Sequence, residues 1–291
     1  MTNYKKPYVI AEIGCNHKGD MEIAKELIKV AKIFCNVDAV KFQKRHNKEL
    51  LTEAQYNAPH PNPVNSYGDT YGAHREFLEF DVTQHQELKD YCEEMGLDYS
   101  TSVWDLTSAK EIASLQPKFI KIPSACNNNM KMLTWLCEHY EGELHISTGM
   151  TTKEEIDDLV TLFKTHNRAK DLVLYNCTSG YPVPFKDVCL LDINILKEKY
   201  GAEVKHIGFS GHHLGIAVDM AAYTLGANVI ERHYTLDRTW KGTDHAASLE
   251  PAGLRKLSRD LKAVYESLTY KTQDILPIEQ VQRDKLKNQK G

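Results

Sequence analysis

Histidines in the last third of the chain could form a metal site. The stretch GFSGHHLGIAVDMAAYTLGANVIERHYTL places His212 and His233 each after a short apolar run, whereas His213 directly follows His212 and is expected to face elsewhere. A lone histidine is more often a hydrogen-bonded wall residue, but Glu231 and Asp244 lie close in sequence and could orient a bound water, which favours a shared ion. Two imidazoles without thiolates leave positions for water and substrate oxygens, which suits Mn²⁺ or Mg²⁺ better than structural zinc.

A second set of side chains combines ammonium groups with hydroxyl donors. Such groups can hold a phosphate and a carboxylate without hydrolysing them. The members are Lys41, Thr101, Lys121, Ser124, Ser179 and Ser210. Glu12, Glu231 and Asp244 supply bases beside them. Together with the histidines, these residues predict a site for a small, doubly anionic substrate next to a metal ion.

Eight short apolar runs must position these residues. Amphipathic segments such as MEIAKELIKVAKIF separate the runs, and this alternation is typical of parallel strands covered by helices on both sides. Eight such units predict a single-domain (β/α)8 TIM barrel. An open doubly wound sheet is disfavoured because EIGCNHKGD lacks a G-x-G-x-x-G turn. The runs are residues 8–14, 39–44, 97–103, 119–124, 143–149, 172–178, 204–210 and 228–235.

The predicted catalytic barrel covers residues 1–270. One long excursion, residues 45–80, interrupts the alternation, with three prolines closely spaced and little periodicity. Long loops in compact domains are commonly functional or disordered. Residues 271–291 are expected to form a tail.

In a barrel of this kind the carboxyl ends of all strands meet at one mouth, where catalytic groups gather. The predicted lysines, acids and hydroxyls fall at those ends. A wet barrel mouth tolerates polar groups, which is the simpler interpretation of any one of them. Two lysines and two acids inside doubly covered strands are harder to explain by packing, because an unpaired buried charge costs several kcal/mol.

The composition restricts the class of protein and its partners. The chain has 291 residues, 42% of them hydrophobic, and a formal net charge of −4, so neither a disordered chain nor a nucleic-acid-binding surface is expected. No apolar run is long enough for a membrane span, and the N-terminus has no signal-peptide pattern, so we expect a cytoplasmic protein. Seven dispersed cysteines without a C-x-x-C pair indicate reduced thiols.

Several segments together resemble the sialic acid (N-acetylneuraminate) synthase family. The likeness covers about residues 7–280, and the segments are AEIGCNHKGD, VKFQK, FIKIPSACNNN, STGM, CTSGYPVP, GFSGHHLGIA and ERHYTLDRTWKGTDHAASLEP. Members of this family condense phosphoenolpyruvate with an open-chain N-acetylmannosamine-type sugar. SYGDTYGAHREFLEF and TLDRTWKGTDHAASLEP look most like the animal-type synthases, which use the sugar 6-phosphate.

The resemblance implies a role for each predicted residue. Phosphoenolpyruvate would be held by Lys41, Thr101, Lys121, Ser124, Ser179 and Ser210. The metal ligands would be His212 and His233, with Mn²⁺ or Mg²⁺ as the cofactor. The sugar would contact Glu12, Gln43, Tyr181 and Asp244. Glu231 and Asp244 would manage a metal-bound water, so that Glu12, Glu231, Asp244, Lys41 and Lys121 form the expected catalytic set.

The sequence departs from the family pattern at two places. Cys126 stands where related synthases have an acid that holds sugar hydroxyls. The family's C-terminal antifreeze-like domain, which lends an arginine to the partner subunit, is not recognised after ILPIEQVQRDKLKNQKG. Family members are dimers, so a homodimer is expected here, with Ile275, Leu276 and Ile278 as a candidate surface.

Two further interpretations use the same barrel. Lys121 or Lys41 could serve as the Schiff-base lysine of an aldolase. Alternatively, the barrel could bind a ligand or a partner without catalysing a reaction.

Overall fold

The computed structural model describes residues 4–287 and contains a closed barrel of eight parallel strands. Each strand pairs with the next along the chain, and the last strand pairs with the first. The predicted (β/α)8 fold is therefore confirmed. The strands are β1 (Tyr8–Gly14), β2 (Ala39–Lys44), β3 (Asp98–Val103), β4 (Phe119–Ile122), β5 (Glu143–Ser147), β6 (Leu172–Cys177), β7 (His206–Gly211) and β8 (Val229–His233).

Helices surround the barrel and also occupy the excursion. They are α1 (Met21–Val30), α2 (Asn47–Leu50), α3 (Glu53–Asn57), α4 (Tyr71–Leu78), α5 (Val82–Met95), α6 (Leu106–Ser114), α7 (Met130–His139), α8 (Lys153–Thr165), α9 (Asp192–Tyr200), α10 (Ala217–Leu225), α11 (Pro251–Ser267) and α12 (Pro277–Leu286). Three of these, α2 to α4, lie within residues 45–80. Short helices thus make up about half of the excursion. The assignment of residues 271–291 to a tail stays a prediction, although α12 lies within it.

Local sequence signals set the helix ends. The Asp20 side chain caps α1 by accepting from the backbone N–H groups of Glu22 and Ile23. Thr152 and Glu155 form a capping box at the start of α8. At the end of α5, Gly96 adopts the left-handed conformation (φ 67°) that favours glycine. These signals fix the starts of α1 and α8 and the end of α5.

Alternation along each strand separates the core from the site. In β2, Val40 and Phe42 pack in the apolar layer between strands and helices, whereas Lys41 and Gln43 line the interior at the carboxyl end. Lower in the interior, a second apolar cluster fills the barrel. Its members are Ile10, Ala39, Phe119, Val173, Tyr175 and Val229. The interior is therefore apolar at mid-height and polar at the mouth.

The structure shows the state of the cysteines, and among residues 4–287 it contains no helix suited to span a membrane. All seven cysteines have free thiols, and four of them, Cys35, Cys92, Cys126 and Cys137, are buried. Within residues 4–287, no helix combines the length and the apolar composition needed to cross a bilayer.

Candidate active site

A cavity of about 460 Å³ opens at the carboxyl ends of the strands. Its walls contain residues from all eight strands or the loops that directly follow them, with β3 contributing through Ser102 and Trp104. The predicted site residues that line this cavity are Glu12, Lys41, Gln43, Lys121, Ser124, Ser179, Tyr181, Ser210, His212, Glu231, His233 and Asp244. The strand-end argument therefore brings these predicted residues together in one place.

Thr101 does not line this cavity. Its hydroxyl donates to the Tyr99 hydroxyl at 2.7 Å, and Tyr99 belongs to the apolar layer outside the barrel. Side chains alternate along a strand, so the neighbouring Ser102 lies on the cavity side instead. The Ser102 hydroxyl accepts from Lys41 Nζ at 2.6 Å. The structure thus corrects the prediction for β3 by one residue, from Thr101 to Ser102.

Lys41 forms an ion pair with Glu12, its register partner across β1 and β2. Both side chains are almost fully buried. Burial raises the pKa of the Glu12 carboxyl, and the Lys41 ammonium opposes that shift. Glu12 also accepts from Gln43 Nε2 at 3.2 Å. One carboxylate therefore fixes both a cation and an amide at the same rim.

Glu231 links the two lysines. Lys121 Nζ lies 3.0 Å from both carboxylate oxygens of Glu231, and Lys41 Nζ lies 3.8 Å from one of them. The Ser210 hydroxyl donates to the same carboxylate at 3.0 Å. Burial alone would raise the pKa of Glu231, but Lys121 and Lys41 outweigh it and hold that pKa well below its usual range. The carboxylate is ionised and keeps two ammonium groups side by side.

Below Lys121, a chain of contacts runs through the barrel interior. Lys121 Nζ lies 3.7 Å from the centroid of the Tyr175 ring. The Tyr175 hydroxyl is 2.7 Å from Nδ1 of His145, whose Nε2 is 3.3 Å from Glu143. Burial lowers the pKa of His145 to about 4, so its imidazole is neutral near pH 7. This column supports the active-site lysine from beneath.

His212 and His233 lie side by side, with ring centroids 5.5 Å apart. His212 Nδ1 is 3.1 Å from the carbonyl oxygen of Thr178, and donation to that oxygen leaves Nε2 as a free acceptor. Burial lowers the pKa of His212 to about 4, which keeps its ring neutral. His233 Nδ1 is buried and has no hydrogen-bond partner among the described residues. Two adjacent imidazoles with ring nitrogens free of hydrogen bonds to the described residues fit a divalent metal ion.

The histidine pair has no third protein ligand in place. Within residues 4–287, no group of three His, Cys, Asp or Glu side chains converges at metal-binding geometry. Water or substrate oxygens would therefore complete the coordination, as in catalytic rather than structural sites. Tyr181 lies against this pair, with its ring centroid 4.4 Å from that of His212 and the two rings tilted by 50°.

A small oxygen-lined cradle surrounds Gly149. A Cβ atom at this position would lie 2.5 Å from the Ser179 hydroxyl and 2.8 Å from the Ser124 hydroxyl. The Gly149 backbone N–H donates to Ser124 at 3.0 Å. The absence of a side chain lets two hydroxyls converge, which is an arrangement suited to phosphate oxygens.

The opposite wall carries Glu12, Gln43 and Asp244 around Gly14. A Cβ on Gly14 would lie 3.0 Å from Gln43 Nε2, 3.2 Å from Glu12 Oε1 and 3.7 Å from Asp244 Oδ2. Gly14 has a φ of 56° and follows an irregularity in the pairing of β1 with β2. Carboxylates and an amide grouped in this way can bind sugar hydroxyls.

The excursion contributes residues that the sequence pattern did not identify. His60, Tyr71, His74 and Arg75 all line the cavity. The Arg75 guanidinium donates to the Tyr71 hydroxyl at 2.8 Å, and no carboxylate lies within 4.0 Å of it in the described part of the chain. The length of the loop is typical of functional loops, but its local pattern does not indicate which side chains reach the mouth.

His213 and Cys126 lie near the active-site cavity but do not line it. His213 faces away from the cavity and lies 3.2 Å from Asp219, which also accepts from Arg232. The expectation that His213 faces elsewhere is confirmed. Cys126 is buried outside the cavity wall, and burial raises the pKa of its thiol to about 12. A protonated, enclosed thiol is a packing residue rather than a nucleophile.

The sequence pattern of the NeuB family matches residues 27–273. The chain belongs to the NeuB family. This NeuB-family chain is 38% identical over 284 residues to the N-acetylneuraminate-9-phosphate synthase of Homo sapiens, and the alignment covers 96% of the chain and 76% of that protein. It is 33% identical over 265 residues to the N,N'-diacetyllegionaminic acid synthase of Campylobacter jejuni, which covers 91% of the chain and 78% of the relative.

The crystal structure of the N-acetylneuraminic acid synthetase from Leptospira borgpetersenii serovar Hardjo-bovis has the same architecture. The TM-score is 0.80 at 27% sequence identity, with 98% of this NeuB-family chain and 93% of that chain covered. The resemblance to sialic acid synthases is therefore confirmed. The NeuB-family chain is an enzyme of the synthase type.

Proposed function

We propose that the protein condenses phosphoenolpyruvate with an open-chain aldose of the N-acetylmannosamine type, giving a sialic-acid-like 2-keto-3-deoxy acid and phosphate. The observation that carries this proposal is the convergence of Lys41, Lys121, His212, His233 and the Gly149 cradle on one cavity. Two of the relatives are named N-acetylneuraminate-9-phosphate synthase and N,N'-diacetyllegionaminic acid synthase, and these names support the same reaction.

Phosphoenolpyruvate would bind along the lysine side of the cavity. The ammonium groups of Lys41 and Lys121 supply the charge that its phosphate and carboxylate need. Ser124 and Ser179 offer hydroxyls at the Gly149 cradle, and Ser210 approaches from β7. Ser102 replaces Thr101 in this proposed set, because it holds Lys41 in place. These contacts contribute positioning and charge stabilisation.

A divalent ion, Mn²⁺ or Mg²⁺, would be held by His212 and His233. When bound, it would act as a Lewis acid that polarises the aldehyde carbonyl. The test is a titration with Mn²⁺ in which water-proton relaxation measures binding of the ion to the protein. His212→Gln and His233→Gln are each expected to weaken binding by about tenfold or more, and His139→Gln, at an exposed histidine, serves as the matched control.

The chain's own groups would manage the bonds that form and break. C3 of phosphoenolpyruvate attacks the aldehyde carbon, the aldehyde oxygen takes up a proton, and positive charge develops at C2. Water adds at C2 and releases one proton, which balances the proton taken up by the aldehyde oxygen. Asp244 is the candidate to carry this proton, whereas Glu231, kept ionised by the two lysines, would orient the water. The C2–O bond to the phosphate then breaks while the C2 hydroxyl gives its proton to the departing phosphate, so that hydrogen phosphate leaves and a ketone remains. Lys41 and Lys121 would hold the phosphate throughout.

The sugar would occupy the side formed by Glu12, Gln43, Tyr181 and Asp244. Arg75 adds a cation without a carboxylate partner at the same cavity, which supports a sugar 6-phosphate as the preferred substrate. The relative from Homo sapiens, which is 38% identical, is named for a phosphorylated product, and this agrees with the preference. Cys126, which stands where related synthases have an acid that holds sugar hydroxyls, is buried outside the cavity wall. No carboxylate is therefore available from that position to bind the sugar.

The test is a reaction of purified protein with Mn²⁺, phosphoenolpyruvate and a panel of aldoses that includes N-acetylmannosamine and its 6-phosphate. The expected result is phosphate release that depends on one aldose, with a matching 2-keto-3-deoxy acid. A folded, metal-loaded sample that stays silent on every sugar would contradict the proposal. Borohydride trapping with pyruvate is expected to give no lysine adduct, whereas an adduct at Lys121 would favour the Schiff-base aldolase.

We also infer a homodimer and a cytoplasmic location, both implied by the family resemblance. Sedimentation velocity of the full chain measures the first, and fractionation of the source cell measures the second.

A further inference from the structure

A second cavity, of about 350 Å³, lies at the opposite end of the barrel, where the strands begin. Tyr8, Phe119, Glu143, His206 and Val229 contribute from the starts of β1, β4, β5, β7 and β8. This N-terminal cavity shares no described lining residue with the active-site cavity. Its volume is within the range of small-molecule sites, about 300–1,000 Å³. The proposed synthase reaction makes no use of it.

The N-terminal cavity is strongly basic. Four lysines line it, against one carboxylate, that of Glu143. The lysines are Lys5, Lys6, Lys118 and Lys205. Lys118 is paired with Asp98, and Lys205 is paired with Glu143, at 2.5 and 3.0 Å respectively. Glu143 is also held by His145, so this carboxylate is fully engaged.

Two of the four cations have no counter-charge. Across residues 4–287, no carboxylate lies within 4.0 Å of the ammonium group of Lys5 or Lys6. Both side chains are exposed at the cavity rim. Two adjacent ammonium groups repel each other unless an anion lies between or beside them. Partial enclosure in a cavity strengthens the positive potential that attracts such an anion.

His206 lines the cavity and has one ring nitrogen without a hydrogen-bond partner among the described residues. This nitrogen, Nδ1, is buried. Burial, with Lys5 and Lys205 nearby, lowers the pKa of His206, so that its imidazole is neutral and can donate one hydrogen bond. The amide of Asn228 lines the same wall. Deeper in, His145 stacks on Phe119 with ring centroids 4.1 Å apart and closes the cavity.

We infer that this N-terminal cavity is a second binding site, for a small phosphate-bearing anion. A phosphate group would satisfy Lys5 and Lys6 together, because its several oxygens can accept from both ammonium groups at once. A concave site with a closed floor fits a small molecule better than a nucleic acid or an acidic peptide, which need an open groove. The shared chemistry is phosphate, carried either by the free ion or by a phosphate ester.

The experiment follows backbone amide signals of the full, isotope-labelled chain by NMR during titration. The probes are inorganic phosphate and glycerol 3-phosphate, with glycerol as the neutral control. His206 and Asn228 report on the N-terminal cavity, whereas Ser210 and His233 report on the active site. Saturable shifts at His206 and Asn228 with either phosphate probe, and none with glycerol, are expected. The tighter of the two probes identifies free ion or ester.

A pair of variants makes this test specific. The double variant K5A/K6A is expected to raise the dissociation constant read at His206 and Asn228 by about tenfold or more, because it removes both charged donors to the phosphate. The control K153A/K186A removes two exposed lysines elsewhere and is expected to change the constant by less than about twofold. Both variants change only exposed side chains, so folding is retained. Absent shifts, or an equal constant in K5A/K6A and wild type, would overturn the inference.

Discussion

The Nζ atom of Lys121 lies 3.7 Å from the centroid of the Tyr175 ring while it bonds both carboxylate oxygens of Glu231. The ammonium is therefore held from above by an anion and from below by an aromatic face. Burial lowers the pKa of Lys121, and Glu231 opposes that shift. The ring face adds to the stabilisation of the charged form, since a desolvated cation–π contact contributes about 2 kcal/mol.

We predict that Tyr175→Leu impairs the use of phosphoenolpyruvate more than Tyr175→Phe does. Leucine removes the aromatic face, so kcat/KM for phosphoenolpyruvate should fall by about tenfold or more. Phenylalanine keeps the face and loses only the hydrogen bond to His145, which should cost less than about fivefold.

Steady-state kinetics with each substrate varied in turn measures this effect, and thermal unfolding of both variants controls for folding. The KM for the sugar should not change in either variant. Equal losses in the two variants, or a loss that follows only the change in Tm, would contradict a role for the ring in positioning Lys121.

The Gly149 cradle gives a second prediction. In Gly149→Ala, the new methyl group would come within 3.0 Å of both the Ser179 and Ser124 hydroxyls. We expect displacement of these hydroxyls to raise the KM for phosphoenolpyruvate by about tenfold. Gly253→Ala is the matched control, because a Cβ there meets no atom closer than 3.4 Å and the residue lies within α11.

Calorimetric titration of phosphoenolpyruvate measures the first effect without turnover. The control variant should bind as wild type does and gain about 0.5–1 kcal/mol of stability from its better helix propensity. Unchanged binding in Gly149→Ala would exclude the cradle as a phosphate site.

Arg75 is predicted to select for a phosphorylated sugar. Arg75→Ala should raise the KM for N-acetylmannosamine 6-phosphate by about tenfold or more and leave that for N-acetylmannosamine nearly unchanged, because it removes one charged contact. Arg75→Lys, which keeps the charge but not the planar fork, should recover part of the loss. Competition between the two sugars in one assay measures the ratio directly. Equal effects on both sugars would assign Arg75 to the packing of the excursion.

Much of this site follows from the sequence alone. Polar residues at the ends of apolar runs, such as Lys41 and Glu231, had to meet once the runs formed a barrel. Thr101 was placed on the wrong face of β3. Alternation determines that Ser100 and Ser102 share one face and Thr101 lies on the other, but three small polar residues in a row do not show which face is the interior one. His74 and Arg75 could not be placed at all, since the path of the excursion depends on tertiary packing.

Buried histidines predict how stability depends on pH. Burial lowers the pKa values of His17 and His85 to about 3, below the ordinary value of 6.5. Between these limits the unfolded chain binds protons that the folded chain does not, so the free energy of unfolding is highest above about pH 6.5 and falls as the pH drops. Each group contributes a slope of about 1.4 kcal/mol per pH unit.

Chemical denaturation between pH 7 and pH 5 measures this slope. His85→Gln should reduce the slope of the free energy of unfolding against pH by the contribution of about one proton. His139→Gln, at an exposed site, should leave the slope unchanged. A slope in His85→Gln equal to that of the wild type would show that His85 takes up its proton in the folded state.

The proposed condensation is tested most directly by the fate of the bridging oxygen of phosphoenolpyruvate. Phosphoenolpyruvate is labelled with ¹⁸O at the oxygen between C2 and phosphorus and is incubated with the protein, Mn²⁺ and the accepted aldose. The masses of the released phosphate and of the keto acid are then measured by mass spectrometry. Attack by C3, addition of water at C2 and departure of phosphate by C–O cleavage predict that the label is found in the released phosphate. A label retained in the keto acid, or in pyruvate without a new carbon–carbon bond, would contradict the account.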